Sequence, residues 1–209
     1  MKHRFFSKYL FVFALLFTAH ISTASALSYG DIVSLYSMGD KGQNCYFVGY
    51  NIIKWIGYGE SNNPEEDNGY ALAARPDNSA LGWRIVNGNN PNQTGPVRYG
   101  DTIGLQAVGE IYLPQSSIGT CYYRGNNKYL SCDGDGYGSL RVDRTGLLAN
   151  EQWVIFNASN QNDRSEVGNG ANVGFRSHWG RFLTCEPDKR VHADRGGLAS
   201  WETWRINKK

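Results

Sequence analysis

The chain has 209 residues, 41% hydrophobic and 19% charged, with 21 Lys and Arg against 19 Asp and Glu. That near balance excludes the strongly basic face a phosphate backbone demands, so nucleic acid is not an expected partner. Abundant Gly and Asn, 6 Trp and 13 Tyr, with no long stretch of helical periodicity, point to an all-β chain of short strands and tight turns.

The first stretch reads as a targeting segment. Lys2, Arg4 and Lys8 precede an apolar run from Tyr9 to Phe17, and small residues follow to Ala24-Ser25-Ala26. This is the order of a secretory signal peptide with an A-x-A cleavage site. The rival reading, a membrane anchor, needs ~20 apolar residues, and this run is shorter. The absence of Cys near the site argues against a lipoprotein. No later segment is apolar enough to span a bilayer, so membrane insertion is not expected. Residues 1–26 are thus read as removed on export, and 27–209 as one secreted or periplasmic domain. Export removes three basic residues and leaves 18 Lys and Arg against 19 acidic residues, which dissolves the slight basicity of the full chain.

Internal repetition organises the remainder. "YGDIVSL" from Tyr29, "YGDTIGL" from Tyr99 and "NGANVGF" from Asn169 recur at a spacing of 70 residues. Strand alternation places Val33 with Leu35, Ile103 with Leu105, and Val173 with Phe175 on one inward face. A second element follows in each unit: Ala73–Ile85, Val142–Ile155 and Ala193–Ile206. Each carries an Arg (Arg75, Arg144, Arg195), then a Trp (Trp83, Trp153, Trp204), and an Ile two residues later. A third piece, "NKYLSC" (Asn127–Cys132) and "GRFLTC" (Gly180–Cys185), is shared by the second and third units. The first unit has "CYFVGY" (Cys45–Tyr50) there, then a polar insert, Gly57–Gly69, read as a surface loop. Asn87–Pro96, between units one and two, is read the same way. The units run over about 27–96, 97–168 and 169–209.

Each unit therefore predicts about four strands, and three units predict twelve. Closure into a barrel removes sheet edges, and three four-strand units around a pseudo-threefold axis make a β-trefoil. A three-bladed propeller also has four strands per unit, but ~4–8 blades are typical. A sandwich needs no threefold repeat.

The segment Val173–Ile206 resembles the fascin-like β-trefoil module. The resemblance rests on Gly180-Arg181-Phe182-Leu183, Asp194-Arg195 and Trp201-Glu202-Thr203-Trp204. The second unit matches through Lys128-Tyr129-Leu130, Asp143-Arg144 and Glu151-Gln152-Trp153, and the first through its opening strand, Arg75 and Trp83-Arg84-Ile85. The family includes actin bundlers built of several trefoils. Its secreted relatives look like carbohydrate-binding modules or agglutinin-type lectins, and the single trefoil with a signal peptide places this chain nearer to these. The E-x-W element is also similar to the Q-x-W repeat of ricin-type lectins. Glu202, Glu151 and Leu81 stand where that repeat has Gln, so its sugar sites are not carried over.

The repeated Trp residues are read as core, because each shares a strand face with an Ile. The repeated Arg residues are read as ties that hold a turn. Residues that break the threefold pattern are the better ligand candidates: Trp179 with His178 in "SHWGR", Tyr123 and Tyr137 in unit two, and Trp201. Trp55 and Tyr58 lie near the insert of unit one. Exposed aromatics beside Asn and Asp suit the stacking and hydrogen bonding that sugars need. His178 and His192 are the two histidines of the exported part, and neither lies in a nucleophile motif. The acidic run Glu65–Asp67 lacks the alternating ligands of a calcium loop. Two N-x-S/T sequons occur, at Asn92 and Asn157.

The four cysteines show no C-x-x-C or Cys/His spacing, so neither metal nor redox cofactor is expected. Export favours disulfides, and four cysteines allow three pairings. Symmetry of position suggests Cys45–Cys121 and Cys132–Cys185. The chain is thus read as a secreted binding protein and not an enzyme. A glycan or polysaccharide is its expected ligand. A protein ligand, as for an actin-binding effector or a protease inhibitor, is the alternative.

Overall fold

A computed structural model describes residues 25–39, 46–56, 70–74, 82–115, 119–124, 127–134, 138–187 and 190–209, with the backbone path alone for 46–56, 70–74, 110–115 and 119–124. The signal-peptide reading of 1–26 and the Gly57–Gly69 insert fall largely or wholly outside these residues. Among the described residues no helix is long and apolar enough to cross a membrane.

The molecule is all-β. The first unit contributes β1 (Ile32–Ser37), β2 (Tyr46–Ile56), β3 (Tyr70–Ala74) and β4 (Gly82–Asn87). The second contributes β5 (Thr102–Val108), β6 (Glu110–Gln115), β7 (Gly119–Arg124), β8 (Tyr129–Cys132), β9 (Leu140–Arg144) and β10 (Trp153–Asn157). The third contributes β11 (Asn172–Ser177), β12 (Phe182–Cys185), β13 (Val191–Arg195) and β14 (Trp204–Lys208). Every pairing is antiparallel. Following the pairings from β1 through β4, β5, β10, β11 and β14 returns to β1, so these six strands close a ring without an edge. The hairpins β2–β3, β8–β9 and β12–β13 stand off the ring, and β3, β9 and β13 touch one another.

The core is assembled three residues at a time. Val33, Ile103 and Val173 are fully buried, as are Leu35, Leu105 and Phe175. So are Trp83, Trp153 and Trp204, and Ile85, Ile155 and Ile206. The Trp153 indole N–H donates to the Leu130 carbonyl at 3.0 Å, and that of Trp204 to Leu183 at 2.9 Å, so each large ring enters the core with its polar atom satisfied. Alternation along strands explains these layers.

A further layer has no such pattern. Leu27, Val97 and Val167 lie outside the strands, spaced by 70 residues, and all are fully buried. Their backbones form a closed cycle: Leu27 N–H donates to Val167 O, Val167 to Val97 O, and Val97 to Leu27 O, each at 2.8 Å. The cycle ties the starts of the three units together. In the turns that follow, Gly30, Gly100 and Gly170 take φ of 96°, 90° and 83°. This left-handed backbone suits glycine. Their N–H groups reach Ile85, Ile155 and Ile206 at 2.8, 2.7 and 2.8 Å. The repeated Tyr-Gly-Asp is therefore a turn device: Asp31 and Asp101 accept the N–H groups of Ser28 and Arg98, three residues back, at 2.9 and 2.8 Å.

Two expectations require correction. The described strands number fourteen, not twelve. The excess is the hairpin β6–β7, inserted after β5. It pairs with the outer half of β2 (Asn51–Ile56), while the inner half (Tyr46–Tyr50) pairs with β3. The edge strand β6 carries Pro114, a residue that sheets tolerate at edges. Second, no disulfide joins Cys132 and Cys185. Both are buried thiols, Sγ to the next residue's carbonyl at 3.7 and 3.8 Å. β8 pairs with β5 and β9, and β12 with β11 and β13, so the two cysteines stand on strands that do not pair. Cys45 lies outside the described residues. Cys121 stands opposite Trp55, at the other end of β2 from Tyr46.

Candidate ligand site

The turn between β11 and β12 presents Trp179. The Gly180 N–H closes the turn onto Ser177 O at 2.9 Å, with Gly180 at φ 75°. The Arg181 N–H adds a 3.3 Å bond to Ser177 Oγ. Trp179 remains 50% exposed. Its orientation is nevertheless set by the second unit. The indole N–H donates to the Cys132 carbonyl at 3.1 Å, and the ring lies against Gly134, where an added Cβ would fall 2.6 Å from the ring carbons. His178 meets the ring edge-on, with centroids 5.4 Å apart and planes at 81°.

Polar groups adjoin this ring along the chain. Asp133, between Cys132 and Gly134, forms an ion pair with Arg141 at 2.9 Å. The arrangement combines a flat apolar face with hydrogen-bonding groups near its rim, which is the requirement for holding a sugar ring. Trp179 and His178 stand out in the sequence because they break the threefold pattern. Gly134 and the Cys132 carbonyl, which orient the ring, carry no sequence signal beyond the small residue in "SCDGDG".

Trp201 belongs to a different neighbourhood. It sits in the short 3-10 turn Ser200–Glu202, with the Arg195 guanidinium 4.7 Å from its ring centroid. One face of the indole is therefore covered. Arg195 hydrogen-bonds to Glu186 and lies 3.6 Å from the buried Glu202, and the Glu186 bond raises its pKa above the usual guanidinium value. His192 lies between Glu186 and Asp194, at 3.3 and 3.4 Å. Glu202 also accepts the Ala199 N–H at 2.9 Å and the Thr184 hydroxyl at 3.3 Å. Arg195 thus ties its turn, as expected for the repeated arginines, and Glu202 explains why Glu recurs before Trp: it caps the 3-10 turn. Glu151 repeats this, accepting the Leu148 N–H at 2.9 Å.

Of the other candidates, Tyr123 lies on β7 opposite Ile52 and Ile111. Tyr137, Tyr58, Arg75 and the Glu65–Asp67 run lie outside the described residues. Among the described residues no group of three or more His, Cys, Asp or Glu is arranged to hold a metal ion.

No family model and no curated protein matches the chain. Solved structures do. One is the S. cerevisiae protein O-mannosyltransferase Pmt1–Pmt2 complex bound to the sugar donor, with a TM-score of 0.57 and 13% identity, over 89% of this chain and 26% of that one. The chain thus spans about a quarter of that protein's length. At this identity the likeness bears on the fold alone.

Proposed function

We propose that this chain is an exported, non-catalytic binding protein with a β-trefoil architecture like that of the fascin-like modules it resembles, and that it binds a glycan or polysaccharide at Trp179. The trefoil reading draws support from the closed six-strand ring, the three hairpins in mutual contact and the cyclic hydrogen bonds of Leu27, Val97 and Val167. One observation carries the ligand. The Trp179 indole is half exposed although its own N–H and Gly134 hold it in place, so a flat apolar face is presented with its orientation already set. A free surface tryptophan would have to be ordered on binding, and pre-organisation removes that cost.

The test is a glycan array with the secreted protein, followed by titration of any hit against the Trp179→Ala variant. Binding that weakens tenfold or more in a folded variant supports the reading. Failure to bind any glycan, together with co-sedimentation on filamentous actin, would replace it with the protein-binding alternative.

A further inference from the structure

The third unit shows what fills a groove that the second unit leaves open. Aligned through their Asp-Arg and Glu-x-Trp motifs, Arg144 corresponds to Arg195, Asn150 to Trp201 and Glu151 to Glu202. In the third unit the Trp201 indole lies under the Arg195 guanidinium at 4.7 Å. In the second unit Asn150 stands at the tryptophan position. A groove of about 480 Å³, lined by 143–146 and 148–151, opens there. That volume falls within the ~300–1,000 Å³ of ordinary ligand pockets. On its rim Leu148 is 72% exposed, where the third unit has Ala199.

The arginines differ in the same sense. Arg195 is anchored by Glu186 and Glu202. Asp133 occupies the position of Glu186, but it is engaged by Arg141 at 2.9 Å. The ion-pair partner of Arg144 is its own neighbour Asp143, at 3.4 Å, and its side chain is 59% exposed. A guanidinium in this state has a face to offer. Asp143 and the buried Glu151 beside it oppose an anionic ligand, whereas a neutral ring presents the negative π-face that a cation attracts.

We propose that this groove binds an aromatic side chain of a partner polypeptide, seated under Arg144 as Trp201 is seated under Arg195. The exposed Leu148 supplies an apolar contact at its edge. The site is separate from Trp179, and it stands or falls independently of glycan binding.

The experiment is a two-dimensional amide NMR titration of the isotopically labelled secreted protein with N-acetyltryptophanamide, with N-acetylleucinamide and free mannose as comparison ligands. The expected result is saturable shifts at Leu148, Ala149 and the Arg144 side chain with the tryptophan compound alone. Arg144→Gln weakens that binding about threefold, the scale of an exposed cation–π contact. Asn150→Trp fills the groove from within, abolishes the shifts and leaves the unfolding midpoint unchanged or raised. If Asn150→Trp does not fold, the Arg144→Gln comparison decides. Shifts that fail to saturate, that occur equally with the leucine compound, that follow mannose instead, or that survive Arg144→Gln unchanged overturn the proposal.

Discussion

Trp204 and Trp179 belong to one repeat and face opposite fates on truncation. Trp204 is fully buried in the ring of strands, with its indole N–H on Leu183 O at 2.9 Å. Trp204→Ala removes the ring from a site walled by rigid strands, which has little freedom to collapse. Emptying such a site costs ~3–5 kcal/mol, and loss of the indole hydrogen bond places the change toward the upper end. Against a total of ~5–15 kcal/mol, that is a third or more of the stability. Trp179 is 50% exposed, so roughly 100 Å² of its surface is at stake. At ~25 cal/mol per Å² its truncation costs at most about 2.5 kcal/mol, an upper bound that a folded domain survives. Urea unfolding followed by far-ultraviolet circular dichroism measures both. Trp204→Ala should lower the midpoint severely or unfold the chain at zero denaturant, and Trp204→Phe should recover most of the loss. Trp179→Ala should shift the midpoint modestly. The packing argument fails if Trp204→Ala costs under about 1 kcal/mol, or if the two alanine variants are equally stable.

Three further outcomes follow from the same geometry. Gly134→Ala places a Cβ 2.6 Å from the Trp179 ring, so it should displace the indole and reduce glycan affinity about as far as Trp179→Ala does, with a smaller loss of stability. Equal affinity in wild type and Gly134→Ala would remove the pre-organisation argument. Burial, then the 2.6 Å hydrogen bond to Asp101, raises the Tyr29 pKa above its ordinary 10.0. The unfolded state then releases its proton first, so this contribution is complete below pH 10 and is lost as pH rises beyond it. Tyr29→Phe should flatten the alkaline limb of the stability–pH profile, and an unchanged limb would contradict the assignment. Finally, on the proposed export, amino-terminal sequencing of the protein recovered outside the cell should begin at Leu27. Cleavage there retains the fully buried Leu27 side chain and its nitrogen's bond to Val167 O, whereas cleavage a few residues later should give an unstable product.

The sequence by itself determined the all-β class, the threefold spacing and most of the core, because strand alternation puts Val33 with Leu35 and Trp204 with Ile206 on one face whatever the wider arrangement. It also separated Trp179 and His178 from the repeated tryptophans, since a turn residue without counterparts in the other units lies outside the alternation. Tertiary structure alone decided the rest. Leu27, Val97 and Val167 share the 70-residue spacing but lie outside strand alternation, and their backbones bond in a cycle that joins three distant stretches of chain. The β6–β7 hairpin gains its partner from the outer half of β2, a pairing that no local pattern announces. Cys132 and Cys185 match in sequence yet stand on strands that do not pair. The groove beside Arg144 is lined by Asn150, where the third unit seats the Trp201 ring against Arg195. Local alternation is encoded residue by residue, whereas contacts between units depend on how distant strands pair to close the ring.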